Sequence, residues 1–346
     1  MSEQPAHPAS DLSRRDLFRK VGFATGGALL LGLPNVLSGW SGEAHAALRP
    51  DMGTGPIALE LEGQFSGMLT TVDGGGFFAD IVPEGGPGPD MIQRKRPGPV
   101  RFEDIVLGVT LGAIDKSLST WIADTLTKSP VLKNGAIVYA DVNGNQVKRL
   151  EFTGALLTEV LVSDCDAAEG KQPAALTLRL IPQSTRLTGG AGKLSSPIGT
   201  KSKQVSSAHF RFNVQGLEQS CARITKVEGI GARRAVSGAP VGQDKFRSKQ
   251  APGMLDCALV RIVLPEVDAG PFYTWFDEMV IKGNPLAERG GLLEWFDPTM
   301  KNVLASVQLG GLGIVRYEPD PVANGGERRL GQVQVDMYCE TIDLKI

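Results

Sequence analysis

One order of local signals occurs twice in this chain of 346 residues. A duplicated order restricts a fold more than any single motif, because each copy has to bury the same apolar faces. In the first copy Arg94-Lys95-Arg96-Pro97-Gly98 precedes Ile105-Val106-Leu107-Gly108-Val109. In the second, Phe246-Arg247-Ser248-Lys249-Gln250-Ala251-Pro252-Gly253 precedes Ala258-Leu259-Val260-Arg261-Ile262-Val263-Leu264. Both read as a basic stretch, a Pro-Gly turn and an apolar strand. A short amphipathic helix follows each strand. Leu118, Trp121, Ile122 and Leu126 form one apolar stripe, and Phe272, Trp275, Phe276, Met279 and Val280 form the other. Pro271 suits the first helical position of the second helix and Gly283 its stop.

Each copy then offers a β-hairpin. Residues 137–142 and 145–152 flank Asn143-Gly144, a pair that favours a type I′ turn with both residues at positive φ. Residues 292–297 and 301–309 flank Pro298-Thr299-Met300. The spacing that carries Asp141 onto Asp297 also carries Gly154 onto Gly310 and Leu156 onto Leu312. Each copy opens with a strand, 57–61 and 210–214, and closes with an alternating one, 175–181 and 331–344. In the last of these Val333, Val335, Met337 and Cys339 share a face. Residues 183–208 are rich in Gly, Ser and Thr and carry Arg186, Lys193, Lys201 and Lys203 without an acid. This is linker composition, long enough as a flexible coil to set two domains side by side. Residues 74–99 and 229–253 read as long polar loops.

The N-terminus is a separate signal. Ser13-Arg14-Arg15-Asp16-Leu17-Phe18-Arg19-Lys20 leads into an apolar stretch, Val21 to Leu33, broken by Pro34-Asn35 and followed by Ala44-His45-Ala46. Paired Arg14 and Arg15 with apolar Leu17 and Phe18, a short apolar segment and a small-x-small cleavage site at Ala44 and Ala46 are the parts of a twin-arginine signal peptide in order. The stretch is shorter than the roughly 20 apolar residues of a membrane span. Cleavage is expected between Ala46 and Ala47. The organisation expected is a signal peptide over 1–46, a first domain over 47–182, a linker over 183–208 and a second domain over 209–346. The twin-arginine translocase carries folded cargo, so the destination expected is periplasmic or extracellular.

The set of Arg94-Lys95-Arg96-Pro97-Gly98, the helix 118–126 with Trp121 and the hairpin Gly135 to Asn145, found again in Lys249 to Gly253, Trp275 and Gly290 to Gly311, resembles the tail tube protein of contractile bacteriophages. That family is related to the tube-forming Hcp protein of type VI secretion. The resemblance spans nearly all of residues 55–346. It implies a mainly β fold of two tandem antiparallel β-sandwich or barrel domains, each with one packed α-helix. It also implies a role in self-assembly: six domains make a ring, rings stack into a tube, and members carry no catalytic residues. Three chains of two domains each would form a pseudo-hexameric ring, with further tube or envelope proteins as partners. The alternative is a monomeric all-β binding module of the cell envelope.

The residues give little to catalysis. Of three histidines only His209 lies beyond the signal peptide, without partners at triad or zinc spacing. Gly189-Gly190-Ala191-Gly192-Lys193 resembles a phosphate loop, but Leu194 stands where a magnesium-binding Ser or Thr is needed. No G-x-S-x-G, H-E-x-x-H or G-x-G-x-x-G sequence occurs beyond the signal peptide. Trp121 and Trp275, at helical spacing among apolar residues, read as core rather than stacking platforms. No enzyme activity, cofactor or metal is expected. A net charge of −2 calls for no nucleic acid. Arg94, Lys95, Arg96 and Arg101 read as a candidate subunit-contact loop. Cys165, Cys221, Cys257 and Cys339 lack C-x-x-C spacing, and their three possible disulfide pairings stay open beside free thiols.

Overall fold

The computed structural model of the protein describes residues 55–86, 89–127, 130–170, 172–194, 205–240, 248–284, 287–319 and 331–346. Arg14, Arg15, Leu17, Phe18, Ala44, Ala46 and Ala47 of the export signal lie outside the described residues, as does the 195–204 part of the linker. The two repeats fall in one compact unit, Met52–Ile346.

In the first half β1 (Ile57–Leu61), β2 (Gln64–Gly74), β3 (Phe77–Pro83), β4 (Lys95–Phe102) and β5 (Ile105–Ile114) precede helix α1 (Lys116–Thr127). Strands β6 (Lys133–Ala140), β7 (Gln146–Val162), β8 (Cys165–Asp166), β9 (Ala175–Ile181) and β10 (Ser184–Gly189) follow. The antiparallel pairings run β1, β2, β5, β9, β7, β6 and return to β1, which closes a barrel. Closure is possible because β7 is long: up to Ala155 it pairs with β6 and β10, and from Leu156 with β9. Gly154, at φ 55°, marks the change of neighbour, a backbone state open to glycine at little cost.

The second half repeats this plan. Its elements are β11 (Phe210–Val214), the short α2 (Glu218–Cys221), β12 (Lys226–Glu228), β13 (Gly231–Pro240), β14 (Ser248–Cys257) and β15 (Val260–Pro265). Helix α3 (Gly270–Phe276), continued by a wider turn over Asp277–Ile281, leads to β16 (Arg289–Phe296), β17 (Val303–Pro319), β18 (Gln332–Tyr338) and β19 (Thr341–Lys345). β11 pairs β16, β16 and β19 pair the start of β17, and β18 pairs its end. β18 then pairs β15, and β15 pairs β12. Gly311, at φ 61°, sits where Gly154 does. One contact of the closed barrel is missing: β12 pairs not with β11 but with β8 of the first half. A continuous apolar core, with Trp121, Trp275, Trp295 and Phe152 fully buried, runs through both halves.

Four expectations are corrected. The linker is not coil throughout, because Ser184–Gly189 is strand β10 and Leu194 is buried on the outer face of β1 and β6 with Ala58 and Val138. β9 and β10 follow each other along β7, the first on its late stretch and the second on its early one. The polar loops at 74–99 and 229–253 contain hairpin arms, β3–β4 and β13–β14, disguised by their glycines and prolines. The closing strand 331–344 is likewise bent into β18 and β19, with Val333, Val335, Met337 and Cys339 buried as read. Finally, the hairpin at Asn143-Gly144 has positive φ at Gly144 (80°) but not at Asn143. Its turn is held by the Asp141 carboxylate, which accepts from the Asn143 and Asn145 amides at 2.9 and 2.8 Å.

The matching Asp297 accepts from Thr299 Oγ1 at 2.7 Å and from Asn302 Nδ2 at 2.6 Å. Those bonds hold its carboxyl well below the ordinary range. The second turn is one residue longer, so beyond it Gly154 falls on Gly311 rather than Gly310.

Candidate subunit interface

The halves meet through an ordinary strand addition. Strand β13 lies beside the second stretch of β7, with Gly231 opposite Leu161, Ala232 opposite Val160 and Arg233 opposite Glu159. The Val162 amide donates to the Ile230 carbonyl at 2.8 Å. Strand β7 can accept this neighbour because its other edge is already filled by β9. Helix α1 packs across the boundary against β19, and the Arg234 guanidinium donates to the Thr125 carbonyl of α1 at 3.0 Å. The helix is placed by its stripe of Leu118, Trp121, Ile122 and Leu126, all buried. Trp121 Nε1 donates to the Val131 carbonyl at 2.9 Å, and the Lys133 ammonium lies 5.9 Å from the ring centre.

The strand edge, the helix and the arm of this joint have counterparts on the far flanks, although Pro319 stands in the place of Val162 and Ala79 in that of Arg234. Trp275 Nε1 donates to the Ala287 carbonyl at 2.7 Å, with the Arg289 guanidinium 5.2 Å from its ring. The arms match through their bulges: Ile81 faces Pro97 and Val236 faces Pro252, each just beyond a register shift. Gly74 and Gly229 introduce the arms at φ 79° and 77°, and a Cβ on either would strike a carbonyl oxygen, that of Asp104 or Leu259. Aligned in this way, Gly76 and the first two residues of β3, Phe77 and Phe78, occupy the places of Gly231, Ala232 and Arg233. Arg316, Tyr317 and Glu318 of β17 occupy those of Glu159, Val160 and Leu161.

The counterparts differ in cover. Among the described residues β3 pairs only with β4, and the end of β17 only with β18. Leu126 on α1 is 7% exposed, and Val280 in the same helical place is 46% exposed. Leu344 on β19, beneath α1, is 3% exposed, and Leu187 at the same place on β10 is 40% exposed. Phe77 (58%) and Ile81 (72%) stand open on the first arm. A run of large apolar residues in the open is the usual mark of a contact surface.

The basic residues singled out in the sequence sit together on this same arm. Arg94 pairs with Asp90 at 2.8 Å and Arg101 with Asp80 at 2.7 Å, while Lys95 and Arg96 stand exposed on β4. Sequence reading picked out the charges and missed the apolar half of the surface, Phe77, Phe78 and Ile81. Their alternation is interrupted by Ala79-Asp80 at the bulge. A further feature is a reversal of charge. Arg179 holds Glu159 at 2.7 Å in the first barrel, and Asp336 faces Arg316 at the matching positions of the second.

His209 lies just before β11 and its carbonyl accepts from the Phe296 amide. The glycine run at 189–193 lies against the hairpin turn, with the Leu194 amide donating to the Gly144 carbonyl. The four cysteines are free. Burial pushes Cys165 up to about 12 and Cys221 up to about 11. Cys257, half-buried, is lowered by its contact with the Cys339 thiol. A polar cleft of about 370 Å³ is lined by Gln215, Gly216, Glu278, Ala287, Glu288 and Arg289. Among the described residues no group of three His, Cys, Asp or Glu side chains is placed to hold a metal ion, and no helix is long and apolar enough to cross a membrane.

No protein-family model matches the sequence, and no curated protein is significantly similar to it. Its structural neighbours are tube and cap proteins of contractile injection systems and an Hcp protein. A chain of the PVC sheath-tube complex of an extracellular contractile injection system, in the extended state, is 9% identical, with 44% of this chain covering 99% of that one at a TM-score of 0.35. The tube-terminating cap of the anti-feeding prophage is 16% identical over 42% of this chain and 99% of that chain, also at 0.35. Hcp1 from Flavobacterium johnsoniae is 17% identical over 40% and 99%, at 0.25.

Proposed function

We propose that the protein is a structural subunit, rather than an enzyme, that closes into a ring of three chains and six barrels, exported in the folded state by the twin-arginine route to the periplasm or beyond. The observation that carries the assembly is the one-sided joint. Each barrel offers one flank to its partner within the chain, and the matching flanks at the two ends of the pair stay open among the described residues. Open strand edges are a hazard to a monomer, and a contact that joins unlike flanks removes them only by closing a ring. Rings of this kind stack into tubes in the family that the sequence resembles, and stacking is part of the proposal.

Negative-stain images of the purified protein test it: end-on views should average to six lobes around a hole, and compact single particles would refute it. The export half is tested by replacing Arg14 and Arg15 with lysine. The expected result is a full-length precursor held in the cytoplasm. Continued appearance outside the cytoplasm of a chain starting at Ala47 would refute it.

A further inference from the structure

The joint inside the chain is a template for the joint between chains. We propose that β3 of one chain adds to the end of β17 in a second copy, with Gly76 opposite Glu318, Phe77 opposite Tyr317 and Phe78 opposite Arg316, while β10 of the first chain is covered by α3 of the second. The inference rests on the ring reading and supplies its register. Three observations converge on it.

The first is the matched backbone. β13 joins β7 through Gly231, Ala232 and Arg233, beginning two residues after a glycine at φ 77°. Gly76 and the first two residues of β3, Phe77 and Phe78, stand at the same distance from a glycine at φ 79°. β7 receives its neighbour from Glu159, directly after the register shift at Thr158, and β17 has the same shift at Val315. Donor and acceptor edges therefore share one pattern from Arg316 to Glu318, whereas Pro319, in the place of Val162, has no amide to donate.

The second is cover. Within the chain α1 lies on β19, and both are buried where they meet; in the second half the corresponding Val280, with Ile281 beside it, is exposed, as is Leu187 on β10 of the first. The open surfaces are also sorted in the way a head-to-tail contact demands. Both open acceptor parts, the β17 edge and α3, belong to the second half, and both open donor parts, β3 and β10, belong to the first. One displacement of one copy brings both pairs together.

The third is chemistry across the new register. Inside the chain Arg233 faces Glu159, an opposite-charge pair. Between copies the partner of Arg316 is Phe78, half-exposed in the single chain, and a guanidinium over a phenyl face is a favourable contact. Phe77 meets Tyr317, which already stacks edge-on with Tyr273 of α3 at 5.4 Å, so the strand and helix parts of the surface are continuous.

Cysteine pairing tests the register. Phe77→Cys in one preparation of the full chain is mixed with Tyr317→Cys in another and oxidised with copper–phenanthroline, with unsubstituted protein treated alongside to account for Cys257. Cross-linked dimers are expected to form at least tenfold faster than with Phe78→Cys in place of Phe77→Cys, since a shift of one residue points the side chain to the other face. Leu187→Arg, a change at an exposed position, should raise the dissociation constant at least tenfold. If the protein assembles by mass yet Phe77 and Tyr317 fail to link and Leu187→Arg has no effect, this register is wrong while the ring stands. If no assembly forms at all, the ring reading falls with it.

Discussion

Set side by side, the two barrels are built from the same parts and differ in what touches their flanks. In the first, the late stretch of β7 has neighbours on both edges and α1 is packed from two sides. In the second, the late stretch of β17 is paired on one edge and Val280 and Ile281 of the helical segment face outward. Among the described residues the first arm, β3–β4, pairs with no further strand, whereas the second, β13–β14, is sewn into the neighbouring barrel. The difference teaches that exposure here is positional. The same local design is buried where the other barrel lies against it and bare where no described residue does.

The largest effect that sharpens this comparison comes from the helices. Trp121→Ala and Trp275→Ala each remove a fully buried indole and should cost about 3–5 kcal/mol. Trp121 is expected at the upper end, because its helix also holds β19, and Trp275 at the lower end. Denaturant midpoints measured on dissociated chains check this; a larger loss at Trp275 would break the comparison. Next come the paired glycines. Gly74→Ala and Gly229→Ala force a side chain into left-handed backbone against a carbonyl and should each cost about 2–3 kcal/mol. Thermal unfolding that is insensitive to either would mean the two arms are not launched alike.

The smallest effect concerns the hairpin turns. Met300, at φ 56°, holds the place that Gly144 holds in the first repeat. A left-handed residue with a side chain costs about 1–2 kcal/mol, offset by the roughly 0.5–1 kcal/mol of extra chain entropy that glycine loses. Met300→Gly should therefore gain about 0.5–1 kcal/mol, read as a small rise in unfolding midpoint. A loss would show that the longer second turn is built on other terms.

The repeat itself was legible because its strongest parts are local. The helical stripes around Trp121 and Trp275, the Asp-led hairpin turns and the alternating closing strands all report their own neighbours along the chain. What was hidden depends on distant partners. β10 looks like linker because Ser184, Thr185 and Thr188 are polar, and its strand state comes from the ladder with β7. The arms read as loops because Pro97-Gly98 and Pro252-Gly253 interrupt any alternation, although each Pro sits beside a bulge that tolerates it. The spacing read before the hairpins slips by one residue after them, since Lys301 has no counterpart in the first turn. Of the candidate contact residues, the basic run Arg94 to Arg96 lies on the arm that the proposal uses, and its charges are one part of that surface. The apolar residues that complete the surface acquire meaning only once β13 is seen lying on β7.

Native mass spectrometry of the purified protein at micromolar concentration tests the central claim most directly. If the joint inside the chain is repeated between chains, the spectrum should be dominated by three chains or by multiples of three, with little dimer. A dominant monomer, or a dimer that does not grow with concentration, would contradict the account and leave a self-contained envelope module in its place.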